Sequence, residues 1–263
     1  KLVLMNRYGA ERVPAAVQAD AYVAKPLCLD RLLEAIAGVM GGGKEAVAPS
    51  AAASADERRG WRVLVVDGDT QGSCRTWAAE GRDRGRRLAY DPAELPARGR
   101  GVLVLGATEN LTLAWVDAAG DEHESSLAEM EARFAPRLVL IDVPKGQSAV
   151  QTAALEVVDL AFLPCSQAGA ETSSLLTSAD ALRAVQTRRP ELAAVVVLNK
   201  FRPTTRLGGK GLAKVRAAGL PLAPTVLLNH IAYEEVLDEG RGPRDQAGRE
   251  VRSLFNDLRR LTP

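Results

Sequence analysis

Six short apolar runs punctuate positions 61–263: Val63–Val66, Val102–Leu105, Leu138–Ile141, Leu160–Leu163, Ala194–Leu198 and Thr225–Leu228. Strict apolar/polar alternation would mean a strand with one wet face. These runs are apolar at nearly every position and rich in Val, Ile and Leu, so each predicts a strand buried on both faces. Most of the intervening stretches carry apolar residues at helical spacing. Buried strands alternating with helices predict a mostly parallel sheet covered on both sides, an α/β doubly wound fold. In such folds ligands sit beyond the carboxyl ends of the strands, so chemistry is sought there.

The first sixty residues have a different texture. Positions 1–40 hold an apolar run at Leu2–Met5, a helical pattern, and Ala21–Ala24 before Lys25-Pro26, followed by Leu29, Leu32, Leu33 and Ile36 at helical spacing. Positions 41–60 are small and polar, contain Pro49, and read as a linker or a poor helix. Apart from the run at Val102, the stretch 81–133 gives no clear signal, and Trp115 and His123 within it receive no role.

Composition narrows the classes. Aromatics are 4% against 46% hydrophobic residues, so Ala, Val and Leu must build the core. Lys and Arg number 34 against 33 Asp and Glu, a net charge of +1. No global basic footprint marks a nucleic-acid binder, although a local basic face stays open. Cys28, Cys74 and Cys165 are scattered and odd in number, and His123 and His230 are isolated. That spacing gives neither a disulfide framework nor a metal motif, and it fits a cytoplasmic setting. No apolar run is long enough to span a bilayer.

The strand ends carry the candidate chemistry. Val63–Val66 runs into Asp67-Gly68-Asp69-Thr70-Gln71-Gly72. Two carboxylates there suit Mg²⁺ or a water beside a phosphate, or one of them caps the next helix. Leu138–Ile141 runs into Asp142-Val143-Pro144-Lys145-Gly146. An acid directly after an apolar strand is the Walker B arrangement, and equally a turn acid. A third strand end is Ala194–Leu198 running into Asn199-Lys200-Phe201. That Asn can read a base edge through its amide or simply make a turn.

Order and spacing then bring a resemblance. RVLVVDGDTQGS resembles the strand and switch I of the ParA/MinD family of deviant-Walker P-loop ATPases, usually a hydrophobic strand and D-x-D-P-Q-G. RLVLIDVPKGQSAVQTAALEVVDLAFLPCSQAGAETSSL resembles its Walker B and switch II, AAVVVLNKFRPTTRLGGK its adenine-side strand, and LPLAPTVLLNHIAYEEVLDEGRGP its final strand and loop. The resemblance covers 61–263 in the family's order. It implies ATP and Mg²⁺ as cofactors and a nucleotide-dependent homodimer. It also implies non-specific DNA binding and a ParB-like or other adaptor, with DNA partition or cargo positioning as the function. By motif position, Asp69 positions the attacking water, Asp67 and Asp142 serve the metal, and Asn199 reads adenine. Candidate phosphate contacts to DNA are Arg202, Arg206, Lys210, Lys214, Arg216, Arg241 and Arg244.

The family's phosphate loop, KGGxGK followed by two hydroxyl residues, cradles phosphates with backbone N–H groups and a Lys. Its nearest match is Met40-Gly41-Gly42-Gly43-Lys44-Glu45. Gly41, Gly42, Gly43 and Lys44 are thus the candidate nucleotide cradle. However, the match is one residue short, Met40 replaces the signature Lys, and Glu45 stands where a hydroxyl should hold the metal. A carboxylate at that point repels the β- and γ-phosphates, so impaired ATP binding is expected. Thr70 and Lys145 also replace two switch prolines. Upstream, LVLMNRYG and DAYVAKPLCLDRLLEAI resemble the C-terminal half of a response-regulator receiver domain, with Lys25 at its Lys-Pro position. The expected organisation is a receiver-like fragment at 1–40, a linker or degenerate phosphate loop at 41–60, and a ParA-like domain at 61–263. A second reading is a non-catalytic scaffold or polar-localisation protein, similar to the TadZ-type proteins that join a receiver-like module to a ParA-like domain.

Overall fold

The computed structural model describes residues 2–5 (backbone), 62–85, 88–95, 101–144, 148–166, 169–202, 212–213, 215–230 and 245–261. The candidate cradle Gly41–Lys44, the segment 6–60 and most of the proposed DNA contacts lie outside the described residues.

Five of the predicted runs form strands, each one to three residues longer than the run itself. With β1 at Leu2–Met5, they are β2 (Arg62–Asp67), β4 (Gly101–Ala107), β7 (Leu138–Val143), β8 (Leu160–Cys165) and β9 (Ala193–Leu198). Between them come α1 (Ser73–Asp83), β3 (Leu88–Ala89), β5 (Thr112–Val116), β6 (Glu122–Ser126), α2 (Leu127–Phe134), α3 (Ala149–Leu155) and α4 (Gly169–Gln186). A last helix, α5, spans Asp245–Leu261. All strands join one sheet in the order β6-β5-β4-β2-β7-β1-β8-β9, with β3 alongside β4. Its body is parallel, and the β4-β5-β6 edge is antiparallel.

Alternation along each strand sorts side chains into two cores, as the period of two requires. Val63, Val65, Val102, Val104, Leu140, Leu160 and Phe162 face Trp77 and Ala78 of α1 and Val251, Leu254 and Phe255 of α5. Leu64, Val66, Leu103, Leu105, Val139 and Ile141 face Met130 and Phe134 of α2, Val150 and Ala154 of α3, and Leu182 of α4. The two-faced burial expected from unbroken apolar runs is what the sheet shows.

Three elements differ from the sequence reading. Leu2–Met5, read as part of a separate receiver-like segment, pairs in parallel with both β7 and β8 at the middle of this sheet. A short apolar run fits any doubly buried parallel position, and only pairing decides which. Thr225–Leu228 is not a strand. The chain there follows β9 through Ala223 N–H to Val196 O and Leu227 N–H to Leu198 O, with single bridges at Leu222 and Leu228. Pro221 and Pro224 remove two donors from that ladder and keep it broken. The third is the hairpin β5–β6 in the stretch that gave no signal. Its turn closes on Asp117, whose carboxylate accepts the Ala119 and Asp121 N–H groups, and Gly120 supplies the positive φ of +91°. Trp115 and His123 are opposite each other across that ladder and stack with centroids 5.3 Å apart.

Candidate functional site

β2 and β7 are neighbours in register, and the register sets Asp67 opposite Asp142 at their carboxyl ends. Asp67 continues the parity of Val63 and Val65, and Asp142 that of Leu140. Both carboxylates therefore project to the face covered by α1. Gly68 then lets the chain turn tightly against β7, its N–H donating to Asp142 O at 2.9 Å. A Cβ on Gly68 would sit 2.9 Å from that same oxygen and 2.9 Å from Val150 Cγ2, so the close approach requires glycine here.

The turn delivers the chain into α1 through Gly72, the helix N-cap, at φ +62°. Asp69 does not cap the helix. Its Oδ1 accepts the Gln71 N–H at 2.9 Å, and its carbonyl accepts the Gly72 N–H, a local Asx turn. The first-turn N–H of Arg75 is instead taken by Asp67 Oδ2 at 3.2 Å, with the Arg75 Nε 3.7 Å from the same oxygen. A carboxylate at a helix N-terminus is well placed for the dipole.

Asp67 and Asp142 are each 2% exposed. Burial pushes the Asp67 carboxyl above its ordinary range, and the Arg75 N–H and guanidinium pull it partly back. Asp67 Oδ1 is buried without a hydrogen-bond partner, a costly state for a carboxylate oxygen. Cys74, in the first turn of α1, directs its Sγ at Asp142 Oδ2, 3.6 Å away. A cleft of about 220 Å³ opens beside these groups, lined by Asp67, Asp69, Thr70, Arg75, Gly106 and Thr108.

Asn199 directly follows β9, on the other side of β1 and β8 from Asp142. Three strand spacings of about 4.8 Å separate β7 from β9, about 14 Å across the sheet. Asn199 is buried, its N–H donates to Cys165 O, and its Oδ1 accepts the Lys200 N–H. Lys200 stands at φ +51°, so the backbone turns sharply at this strand end. Of the proposed DNA contacts, Arg202 and Arg216 are described, and both are exposed. The sheet thus brings Asp67 and Asp142 together, with Asp69 beside Asp67 along the cleft, and sets Asn199 apart on the same edge. Sequence reasoning did not single out Cys74 or Arg75. Their signal was the Gln71-Gly72 turn, which starts a helix whose first turn must point back at the strand-end acids.

A mostly parallel sheet with helices on both faces and acids at the ends of adjacent central strands defines an α/β protein of the doubly wound class. No family model matches the chain, and no curated protein matches it by sequence. Among solved structures it is similar to MinD, the cell division protein of Aquifex aeolicus. The alignment covers 100% of this chain and 98% of that one at 12% identity, with a TM-score of 0.55. MinD in the MinC:MinD complex of the same organism gives a TM-score of 0.56 at 11% identity, covering 100% of this chain and 96% of that one. The septum site-determining protein MinD of Pyrococcus horikoshii, complexed with Mg-ADP, gives 0.54 at 13% identity, covering 98% and 94%. At such identities the likeness is one of fold, and the fold is that of MinD.

Proposed function

We propose that this chain is a ParA/MinD-type positioning or partition protein that keeps the acidic end of the nucleotide site and has a weakened phosphate cradle. The observation that carries the reading is the in-register pair Asp67 and Asp142, buried at the carboxyl ends of adjacent parallel strands with Asp67 Oδ1 unpartnered. Carboxylate oxygens are the hard donors that Mg²⁺ takes, so the residues present fit that ion. When bound with ATP, Mg²⁺ would neutralise charge on the phosphates.

Each residue then has a role. Asp67 and Asp142 hold the metal. Asp69, beside the cleft, orients the attacking water. Asn199 reads adenine about 14 Å away, the reach of a nucleotide from phosphate to base. The P. horikoshii neighbour of the same fold holds Mg-ADP, and the A. aeolicus neighbour assembles with MinC. This chain acts likewise as a nucleotide-dependent homodimer with an adaptor of its own, ParB-like in the partition case. Non-specific DNA is gripped by exposed arginines such as Arg202 and Arg216, a contact that salt would weaken strongly.

The weakened cradle is supported by two features of the sequence. Glu45 stands directly after Gly41–Lys44, where a metal-holding hydroxyl is expected. The central strand β1 runs into Asn6-Arg7-Tyr8-Gly9, which lacks the glycine pattern that a phosphate loop places directly after its strand. The test is calorimetric titration of the whole chain with Mg-ATP, with Asp142→Ala as control. The expected result is a dissociation constant weaker than about 100 μM, abolished in the control. Tight binding, near 1 μM or below by order of magnitude, would overturn the weakened cradle. Binding unaffected by Asp142→Ala would overturn the metal assignment. No binding at all would favour the scaffold reading over an ATPase.

A further inference from the structure

We infer that Cys74 converts the acidic pair into a site for a thiophilic divalent cation such as Zn²⁺ or Co²⁺, bound by the Cys74 thiolate and one oxygen each of Asp67 and Asp142. This rests on the acidic pair of the site described above but needs no nucleotide. The three ligand atoms lie within 4.8 Å of one another, and all three residues are buried. In a tetrahedral zinc site, metal–sulfur and metal–oxygen bonds of about 2.3 and 2.0 Å set the sulfur–oxygen edge at about 3.5 Å. The Cys74 Sγ to Asp142 Oδ2 distance is 3.6 Å. The carboxylates already converge on the volume a metal would fill.

A thiol–carboxylate hydrogen bond accounts for less of this. An S–H is a weak donor, and the contact to Asp142 Oδ2 leaves the buried Asp67 Oδ1 without a hydrogen-bond partner. A cation satisfies both acids at once. Charge also balances. On binding, the Cys74 proton leaves to solvent, so a dication meets a thiolate and two carboxylates. The Arg75 guanidinium, 3.7 Å from Asp67 Oδ2, offsets the remaining negative charge. Three protein ligands leave the fourth tetrahedral position for water or another ligand, and one of the three, Asp67, also lines the cleft. Mg²⁺ prefers an all-oxygen shell, so Cys74 shifts the preference of the nucleotide-free site toward softer ions.

Titration of nucleotide-free, tag-free protein with Co²⁺ tests this by absorption spectroscopy. The expected result is a thiolate-to-cobalt charge-transfer band in the near ultraviolet that saturates at one equivalent, is bleached by Zn²⁺, and is missing in Cys74→Ser. Circular dichroism establishes that the variant is folded. X-ray absorption on the zinc-loaded wild-type chain gives a second readout that needs no variant: one sulfur at about 2.3 Å with oxygen neighbours. A charge-transfer band that survives in Cys74→Ser, a zinc shell without sulfur, or no cobalt uptake would each overturn the inference. Mg-ATP calorimetry is read on a separate sample, so the nucleotide reading stands or falls independently.

Discussion

Replacing Gly68 with alanine puts one methyl group at the tightest point of the site. The new Cβ meets Asp142 O and Val150 Cγ2, each at 2.9 Å, closer than real Cβ contacts come. Neither neighbour yields easily. The oxygen belongs to the backbone of β7, and Val150 is a buried β-branched side chain in α3. Relief therefore moves β2 away from β7, an overpacking cost of about 1–3 kcal/mol. The same movement strains the Gly68 N–H bond to Asp142 O, worth about 1 kcal/mol. The combined loss is about 2–4 kcal/mol. At about 2–4 °C per kcal/mol for a domain of this size, Tm falls by about 5–15 °C. Thermal melts followed by far-ultraviolet circular dichroism measure it. Gly106→Ala is the control. At the end of β4, its new Cβ would find Ala114 O and the Arg75 guanidinium only at 3.7 Å, an ordinary contact. A Gly68→Ala melt within about 2 °C of wild type, or no different from Gly106→Ala, would refute the close approach of the two acid-bearing strands.

Two further predictions concern charge and capping. A carboxyl whose folded pKa lies above its unfolded value adds stability below the unfolded value and loses it as pH rises through the folded one. Asp67, raised by burial from 3.8, is such a group. Asp67→Asn should therefore melt higher than wild type at pH 7 in metal-free buffer, with the gap closing toward pH 4; a lower melt at pH 7 would contradict this. Ser126 and Glu129 form a reciprocal capping box at the start of α2. Ser126→Ala should cost about 1 kcal/mol in urea unfolding at pH 7. The Glu129 carboxyl is held below its ordinary 4.5 first by the Ser126 N–H, which the variant keeps, and then by the Ser126 hydroxyl, which it loses, so the hydroxyl's part of the deficit should shrink as pH falls below that value.

How much of this was legible in the sequence depends on how local each cause is. Two-faced burial is written into a run such as Val63–Val66 or Leu138–Ile141, because its apolar positions leave no face for water. Both runs are strands, and each extends one or two residues past the reading to include its terminal acid. That Asp67 and Asp142 lie at strand carboxyl ends was legible because each directly follows such a run. The hairpin β5–β6 was not legible. Glu122, His123, Glu124 and Ser125 are polar on consecutive positions, because the outer strand has little core to face.

What the sequence determined by itself is the set of buried strands, the α/β class, and the acids at the strand ends, since each follows from residues adjacent in the chain. Only the tertiary structure decided which strands are neighbours. It set β2 beside β7 so that Asp67 faces Asp142, and placed Leu2–Met5 at the centre of the sheet. It also turned the first turn of α1 back so that Cys74 meets Asp142 and Arg75 meets Asp67. Parallel pairing joins segments far apart in the chain, and one apolar strand resembles another. The choice among them rests on how all the faces pack at once, which no single segment encodes.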